Sequence, residues 1–96
     1  MNVMITGAAG GLGRAFANEC AGRGYNLFLT DINEEGLTRL KDGLERQFGV
    51  TVAVKACDLT KAESVDEMLD VIDKHGIRFD MLLNVAGMDF EGDFAG

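Results

Sequence analysis

A chain of 96 residues, 47% hydrophobic and 26% charged, has room for one small domain that buries roughly 60–65% of the surface its unfolded form exposes. Acidic residues outnumber Lys and Arg by 16 to 9, for a net charge of −7, with no basic cluster among them, which excludes a nucleic-acid footprint. No apolar run approaches the roughly 18 residues that cross a bilayer, and a strand-like segment begins almost at Met1 with no basic patch before it, so the expectation is a cytoplasmic chain without a membrane partner.

Asn2–Thr6 is predicted as the first strand, and the glycines Gly7, Gly10, Gly11 and Gly13 follow at once. A helix is expected over Leu12–Arg23 with Leu12, Ala15, Phe16 and Cys20 on one face, broken by Gly22 and Gly24. Tyr25–Thr30 is the second predicted strand. Asn33 suits the N-cap of a helix whose Leu37, Leu40, Leu44 and Phe48 mark an apolar stripe, and Gly49 closes it. Val50–Ala56, β-branched, is the third strand. Thr60-Lys61-Ala62-Glu63 matches a capping box, and Val65, Met68, Leu69 and Ile72 give the helix it opens an apolar face that ends at His75-Gly76. On that helix Glu63, Asp66, Glu67, Asp70 and Asp73 are expected to form a solvated face. Phe79–Val85 is the fourth strand, and residues 88–96 form an irregular tail. Cys20 and Cys57 are too few and too far apart for a disulfide framework or a zinc site, and are expected to be reduced and buried.

Strands alternating with helices argue for an α/β fold in three layers, with a parallel sheet between helices. Right-handed crossovers place the first two helices on one face and return the third over the other. The strand order is then 3-2-1-4, with the topological switch between strands one and four. Ligands of such sheets bind outside the carboxyl ends of the strands at that switch.

The chemistry-bearing residues fall on that rim. A strand running through a glycine turn into a helix brings backbone N–H groups to a pyrophosphate, aided by the helix N-terminus. The glycines alone also fit a plain tight turn. No Lys follows them as a P-loop requires, and Phe16 stands where the third glycine of Gly-x-Gly-x-x-Gly belongs. Asp31 ends strand two, 18 residues after Gly13, where a carboxylate can accept from the adenine-ribose hydroxyls. Asp58-Leu59 ends strand three, and Asn84-Val85-Ala86-Gly87 ends strand four. Singly, Asp31 and Asp58 could be helix caps and Asn84 a strand bridge; together they argue for one site.

With these motifs the chain resembles the N-terminal part of the short-chain dehydrogenase/reductase family. Thr6–Gly13 matches the family's Thr-Gly-x-x-x-Gly-x-Gly, Asp58-Leu59 its adenine-site pair, and Asn84–Gly87 its Asn-Asn-Ala-Gly segment with Val85 in place of the second Asn. Gly10 also allows the spacing of the family's extended branch, but Asn-x-Ala-Gly at the end of strand four resembles the shorter branch. The resemblance covers residues 1–87 and implies a Rossmann-like domain, truncated relative to the family, over residues 1–96.

It also implies roles. Gly7, Gly11 and Gly13 make room for the dinucleotide, while backbone around Ala8, Ala9 and Leu12 faces the pyrophosphate and the neighbouring ribose. Asp58 accepts from the adenine amino group and Leu59 packs on the ring; Asn84, Ala86 and Gly87 line the nicotinamide-side ribose. Asp31 favours a free 2′-hydroxyl and repels a 2′-phosphate, and no Lys or Arg stands at Gly10, Ile32 or Asn33, so NAD is expected over NADP. The family's catalytic Tyr, Lys, Ser and Asn belong to a later stretch than this one. Tyr25 has Leu29, not Lys, four residues on, and His75 is read as structural. The expected function is the dinucleotide-binding part of an oxidoreductase moving hydride between NAD(H) and a carbonyl or secondary alcohol, inactive alone, with a small-molecule substrate only in a full-length protein. The alternatives are a non-catalytic dinucleotide sensor or regulator and, less in keeping with Asp31, Asp58 and Asn84, a remnant kept as an interaction module. An uncovered strand four is expected to make the chain self-associate.

Overall fold

The computed structural model describes residues 1–85. Four strands and three helices alternate: β1 (Asn2–Thr6), α1 (Gly11–Gly22), β2 (Asn26–Asp31), α2 (Glu34–Phe48), β3 (Val52–Ala56), α3 (Ala62–Lys74) and β4 (Met81–Asn84). All neighbouring strands are parallel, and the order is β3-β2-β1-β4, as the crossover argument requires. Thr6 pairs with Thr30 and with Asn84, and Asp31 with Ala56, so the carboxyl ends of the four strands form one rim.

Side chains alternate across a strand, and here both faces are apolar because both are covered. Val3, Ile5, Leu27, Leu29 and Val52 bury against Ala17, Cys20 and Ala21 of α1 and Leu37 and Leu44 of α2. Met4 and Phe28 face the other way, onto Met68 of α3 and Cys57, with Val65, Ile72, Ile77 and Phe79 around them. Phe79 meets Phe28 edge to face, ring centroids 5.7 Å apart. The helices therefore sit two on one face and one on the other.

Local signals explain most boundaries. Asn33 caps α2 by accepting the Gly36 N–H at 3.0 Å, and Gly49 closes it in the left-handed conformation. Glu45 ties α2 to the next strand: its carboxylate accepts the Val52 N–H and the Lys41 ammonium, each at 3.0 Å. Those two bonds, the first larger, hold the Glu45 carboxyl below its ordinary pKa.

Three local expectations are corrected. On α1 the buried positions are Gly13, Ala17, Cys20 and Ala21, while Leu12 and Ala15 face solvent. The helix lies so close to the sheet that only small residues fit between. On α3 Leu69 is 52% exposed, so the buried stripe runs through Val65, Met68 and Ile72. The capping box does not form: Lys61 is the N-cap and makes no side-chain bond. The Thr60 hydroxyl instead donates to Asp58 Oδ1 at 2.6 Å, where a capping box would have its oxygen accept a backbone N–H of the first turn. The end strands are also shorter than predicted: β3 begins at Val52 rather than Val50, and β4 covers Met81–Asn84 within the predicted Phe79–Val85.

Cys20 and Cys57 are free and buried; burial pushes the Cys20 thiol up, with Arg23 opposing. The acidic residues Glu63, Asp66, Glu67, Asp70 and Asp73 all lie exposed on α3. Among the described residues no helix is long and apolar enough to cross a membrane.

Candidate functional site

The turn after β1 is held from several sides. Gly7 takes φ of 72°, in the left-handed region, and its carbonyl accepts the Gly10 N–H at 3.2 Å. The Ala8 N–H donates to the Thr30 carbonyl at 3.1 Å, and the Ala9 N–H to Asp31 Oδ2 at 3.0 Å. Ala8 is fully buried. Backbone at Ala8 and Ala9 thus turns inward, and the groups left for a ligand come one turn later. Gly10 supplies no capping side chain to α1 and no acidic residue sits in its first turn. Among the described residues, the N–H groups of Gly11, Leu12 and Gly13 therefore point out of the helix start unpaired, at its positive end.

Gly13 fixes how near the helix start can come. A Cβ there would lie 2.1 Å from the Gly7 carbonyl oxygen and 2.8 Å from Ala8 Cα, both backbone atoms that cannot swing aside. A Cβ on Gly11 meets nothing within 4 Å, which leaves the space in front of the helix open.

Next along the rim, a cleft of about 260 Å³ is lined by Gly7, Asp31, Ile32, Cys57, Asp58 and Leu59, among others. Asp31 Oδ1 accepts the Asn33 N–H at 2.9 Å, so each of its oxygens has one donor and keeps a lone pair for another. Cys57 N–H donates to the Asp31 carbonyl at 2.9 Å, clamping the ends of β2 and β3 together. Asp58 is fixed by its own loop: its N–H donates to Ser64 Oγ at 3.0 Å, and Oδ1 accepts from the Thr60 N–H and hydroxyl. Those two Thr60 bonds, the hydroxyl's first, hold the Asp58 carboxyl below its ordinary pKa, and Lys61 adds to the effect. Among the described residues its Oδ2 has no partner. Ile32 and Leu59 are 68% and 42% exposed on the cleft walls.

Across the switch, Asn84 Oδ1 accepts the Thr6 hydroxyl at 2.8 Å, leaving its amide N–H groups at the rim. Ala86 and Gly87 lie outside the described residues. The structure thus gathers Gly7, Asp31, Asp58 and Leu59 around one cleft, with Gly11, Leu12 and Gly13 beside it and Asn84 on the far side of β1. Ser64 was not singled out from sequence, Ile32 was noted only as a position without a cation, and Thr60 only as a cap; the Asp58-x-Thr60 spacing was the signal for the Asx-type bond two residues on. Among the described residues no cluster of His, Cys, Asp and Glu could hold a metal ion.

One expected outcome follows from Asp58. A carboxylate whose pKa is lowered on folding stabilises the native state above the unfolded value near 3.9, and that contribution is lost as pH falls through the lower folded value. Ligand affinity resting on this carboxylate is therefore flat from pH 7 to about 5 and falls only below the ordinary Asp range; a titration series against pH checks this, and a drop beginning near pH 6 would contradict it.

A family profile described as short chain dehydrogenase matches residues 1–95. Diacetyl reductase, (S)-acetoin forming, of Staphylococcus epidermidis is 35% identical over 86 residues, which are 90% of this chain and 33% of that protein. Among solved structures, an alcohol dehydrogenase from the archaeon Thermococcus sibiricus, complexed with 5-hydroxy-NADP, superposes with a TM-score of 0.77 at 34% identity, covering 84% of this chain and 34% of that one. An NAD+-bound xylitol dehydrogenase gives 0.74 at 32% identity, covering 84% and 31%. The chain spans about a third of the length of each of these relatives.

Proposed function

Since the chain belongs to the short-chain dehydrogenase family, we propose that it is the dinucleotide-binding part of a cytoplasmic oxidoreductase acting on a carbonyl or secondary alcohol, and that it does not turn over substrate by itself. The observation that carries this reading is the unpaired start of α1, brought close by Gly13, beside a cleft walled by Asp31, Ile32, Asp58 and Leu59. The residues fit the group: free N–H donors for the pyrophosphate at Gly11–Gly13, a carboxylate for the ribose diol at Asp31, apolar walls for adenine, and an acceptor at Asp58 Oδ2 for its amino group. Asn84 reaches the second ribose across β1, with Ala86 and Gly87 following in sequence. When bound, the nicotinamide supplies or accepts the hydride; this chain's residues hold and orient the dinucleotide.

Asp31 favours NAD. Its charge repels a 2′-phosphate, and Gly10, Ile32 and Asn33 offer no cation to offset it. Titration of the 96-residue chain with NAD, followed by the amide signals of Gly11, Leu12 and Gly13, tests the reading. Saturable shifts at millimolar NAD support it, and their absence overturns it. Oxidation of any alcohol by the purified chain above a buffer control overturns the claim that it is inactive alone. The regulator alternative is told apart by the reading frame beyond the codon for Gly96: a downstream Ser and Tyr-x-x-x-Lys support the enzyme, and a frame without them supports the sensor.

Self-association is part of the same proposal. On β4, which pairs with β1 alone among the described strands, Leu82 is 60% and Met81 39% exposed, with Leu69 of α3 also open. Such an edge is a template for pairing. Light scattering at micromolar concentration is expected to give a mass above the monomer, and Leu82→Lys, which places a charge on the edge, to return it to the monomer. A wild-type monomer contradicts this.

A further inference from the structure

A second cavity, of about 360 Å³, lies between α1 and α2, lined by Arg14 and Asn18 of α1 and Arg39 and Gln47 of α2, with Leu40 and Leu44 also in its lining and Ala9 and Asn33 at one end. Two of the residues on its α2 side are Gly36 and Gly43; Gly43 leaves its side open, while Asn33 and Ala9 close in on Gly36. In a chain of net charge −7, this cavity has two arginines and no acidic residue in its lining. Nothing in the dinucleotide cleft uses those arginines.

From this lining we infer that the α1–α2 groove binds a phosphate monoester. Guanidinium forks match the oxygen pairs of a tetrahedral dianion, and the carboxamides of Asn33 and Gln47 add neutral donors. Asn33 already accepts the Gly36 N–H through Oδ1, which leaves its Nδ2 group to donate. Among the described residues Arg39 is held only by Glu35, at 3.5 Å, with both side chains about four-fifths exposed. A pair so open and so long competes weakly with a bound dianion. Asn18 donates to the Arg14 carbonyl at 2.9 Å, a bond within α1 that does not engage the Arg14 side chain. Leu40 and Leu44 give the organic part of the ester an apolar contact.

The groove shares a wall with the cleft, because Ala9 and Asn33 line it while their backbone N–H groups hold Asp31. The phosphate could therefore come from a free phosphate ester or from a 2′-phosphate reaching across that wall from a bound dinucleotide. Amide spectra of the 96-residue chain, titrated separately with inorganic phosphate, NAD and NADP, separate these sources. Inorganic phosphate is expected to shift Asn18, Gly36 and Gly43, and the doubly substituted Arg14→Gln/Arg39→Gln chain, altered only at exposed positions, to lose those shifts while keeping its circular dichroism. If NADP but not NAD moves the same signals, the phosphate arrives with the dinucleotide; if inorganic phosphate alone does, the ligand is free. No movement of groove signals by either phosphate or NADP, or movement of Gly11–Gly13 only, overturns the proposal. Shifts of Gly11–Gly13 by NAD report on the dinucleotide reading separately, so the two can fail independently.

Discussion

Gly13→Ala is expected to remove the cooperative thermal transition, or to lower its midpoint severely. The added methyl carbon would stand 2.1 Å from the Gly7 carbonyl oxygen and 2.8 Å from both Gly7 C and Ala8 Cα. Flexible side chains can yield to such an intrusion, but here the neighbours are the backbone of the turn itself. That turn is pinned in turn by the Ala8–Thr30 and Ala9–Asp31 hydrogen bonds, so relief requires α1 to leave the sheet. Overpacking typically costs about 1–3 kcal/mol and more when nothing can relax. We expect roughly 3 kcal/mol or more, a large part of the roughly 5–15 kcal/mol that holds a domain together. Gly11→Ala is the control. Its methyl meets nothing, so the midpoint stays or rises, while dinucleotide affinity falls because the methyl occupies the approach to the helix start. A Gly13→Ala chain that melts like the wild type would contradict the close-approach argument.

Asp31→Asn is expected to weaken NAD binding by about 10- to 150-fold, the equivalent of roughly 1.5–3 kcal/mol for hydrogen bonds to a charged group. The carboxylate accepts Ala9 N–H on one oxygen and Asn33 N–H on the other. A carboxamide has one acceptor oxygen, so one of those N–H groups must face an amide NH2 instead. The glycine turn and the start of α2 lose a shared anchor, and the ribose loses its charged acceptor. NADP, which gains from removal of the negative charge, is expected to lose less, so the ratio of the two dissociation constants moves towards NADP. Calorimetric titration of both dinucleotides checks this; an unchanged NAD affinity would sink the assignment of Asp31 to the ribose.

The sheet and its order were legible because each strand is a short apolar run closed by a turn residue, and because the connection lengths admit one helix each. Less legible were features set by distance rather than by hydrophobicity. Leu12 was expected on one face of α1 with Ala15, Phe16 and Cys20, but the buried line is Gly13, Ala17, Cys20 and Ala21, because the approach that Gly13 allows leaves no depth for a leucine. Thr60 was expected to cap α3 and instead serves Asp58, a competition between accepting a helix N–H and donating to a carboxylate that spacing alone does not rank. At the site, Asp31, Asp58 and Leu59 were visible as strand-end residues. Ile32 was not, since an exposed isoleucine has no sequence signature until the cleft it lines exists. The same holds for Arg14 and Arg39, 25 residues apart in sequence and joined only by the packing of α1 on α2.

The hydrogen bond from Thr6 to Asn84 spans 78 positions, as does the Asn2 N–H to Asp80 bond at the other end of the same strand pair. β1 is thus the first of the described strands in the chain, and its second neighbour, β4, is the last. Closure of so long a loop makes β4 the element with most to lose in entropy and least side-chain cover to compensate. Amide hydrogen exchange should reveal this as a hierarchy, with Leu82 and Leu83 exchanging through partial opening and Leu27–Leu29 only through complete unfolding. In that opened form β1 becomes the edge of a three-stranded sheet and offers a bare row of backbone groups, where a strand from another chain can compete with the protein's own.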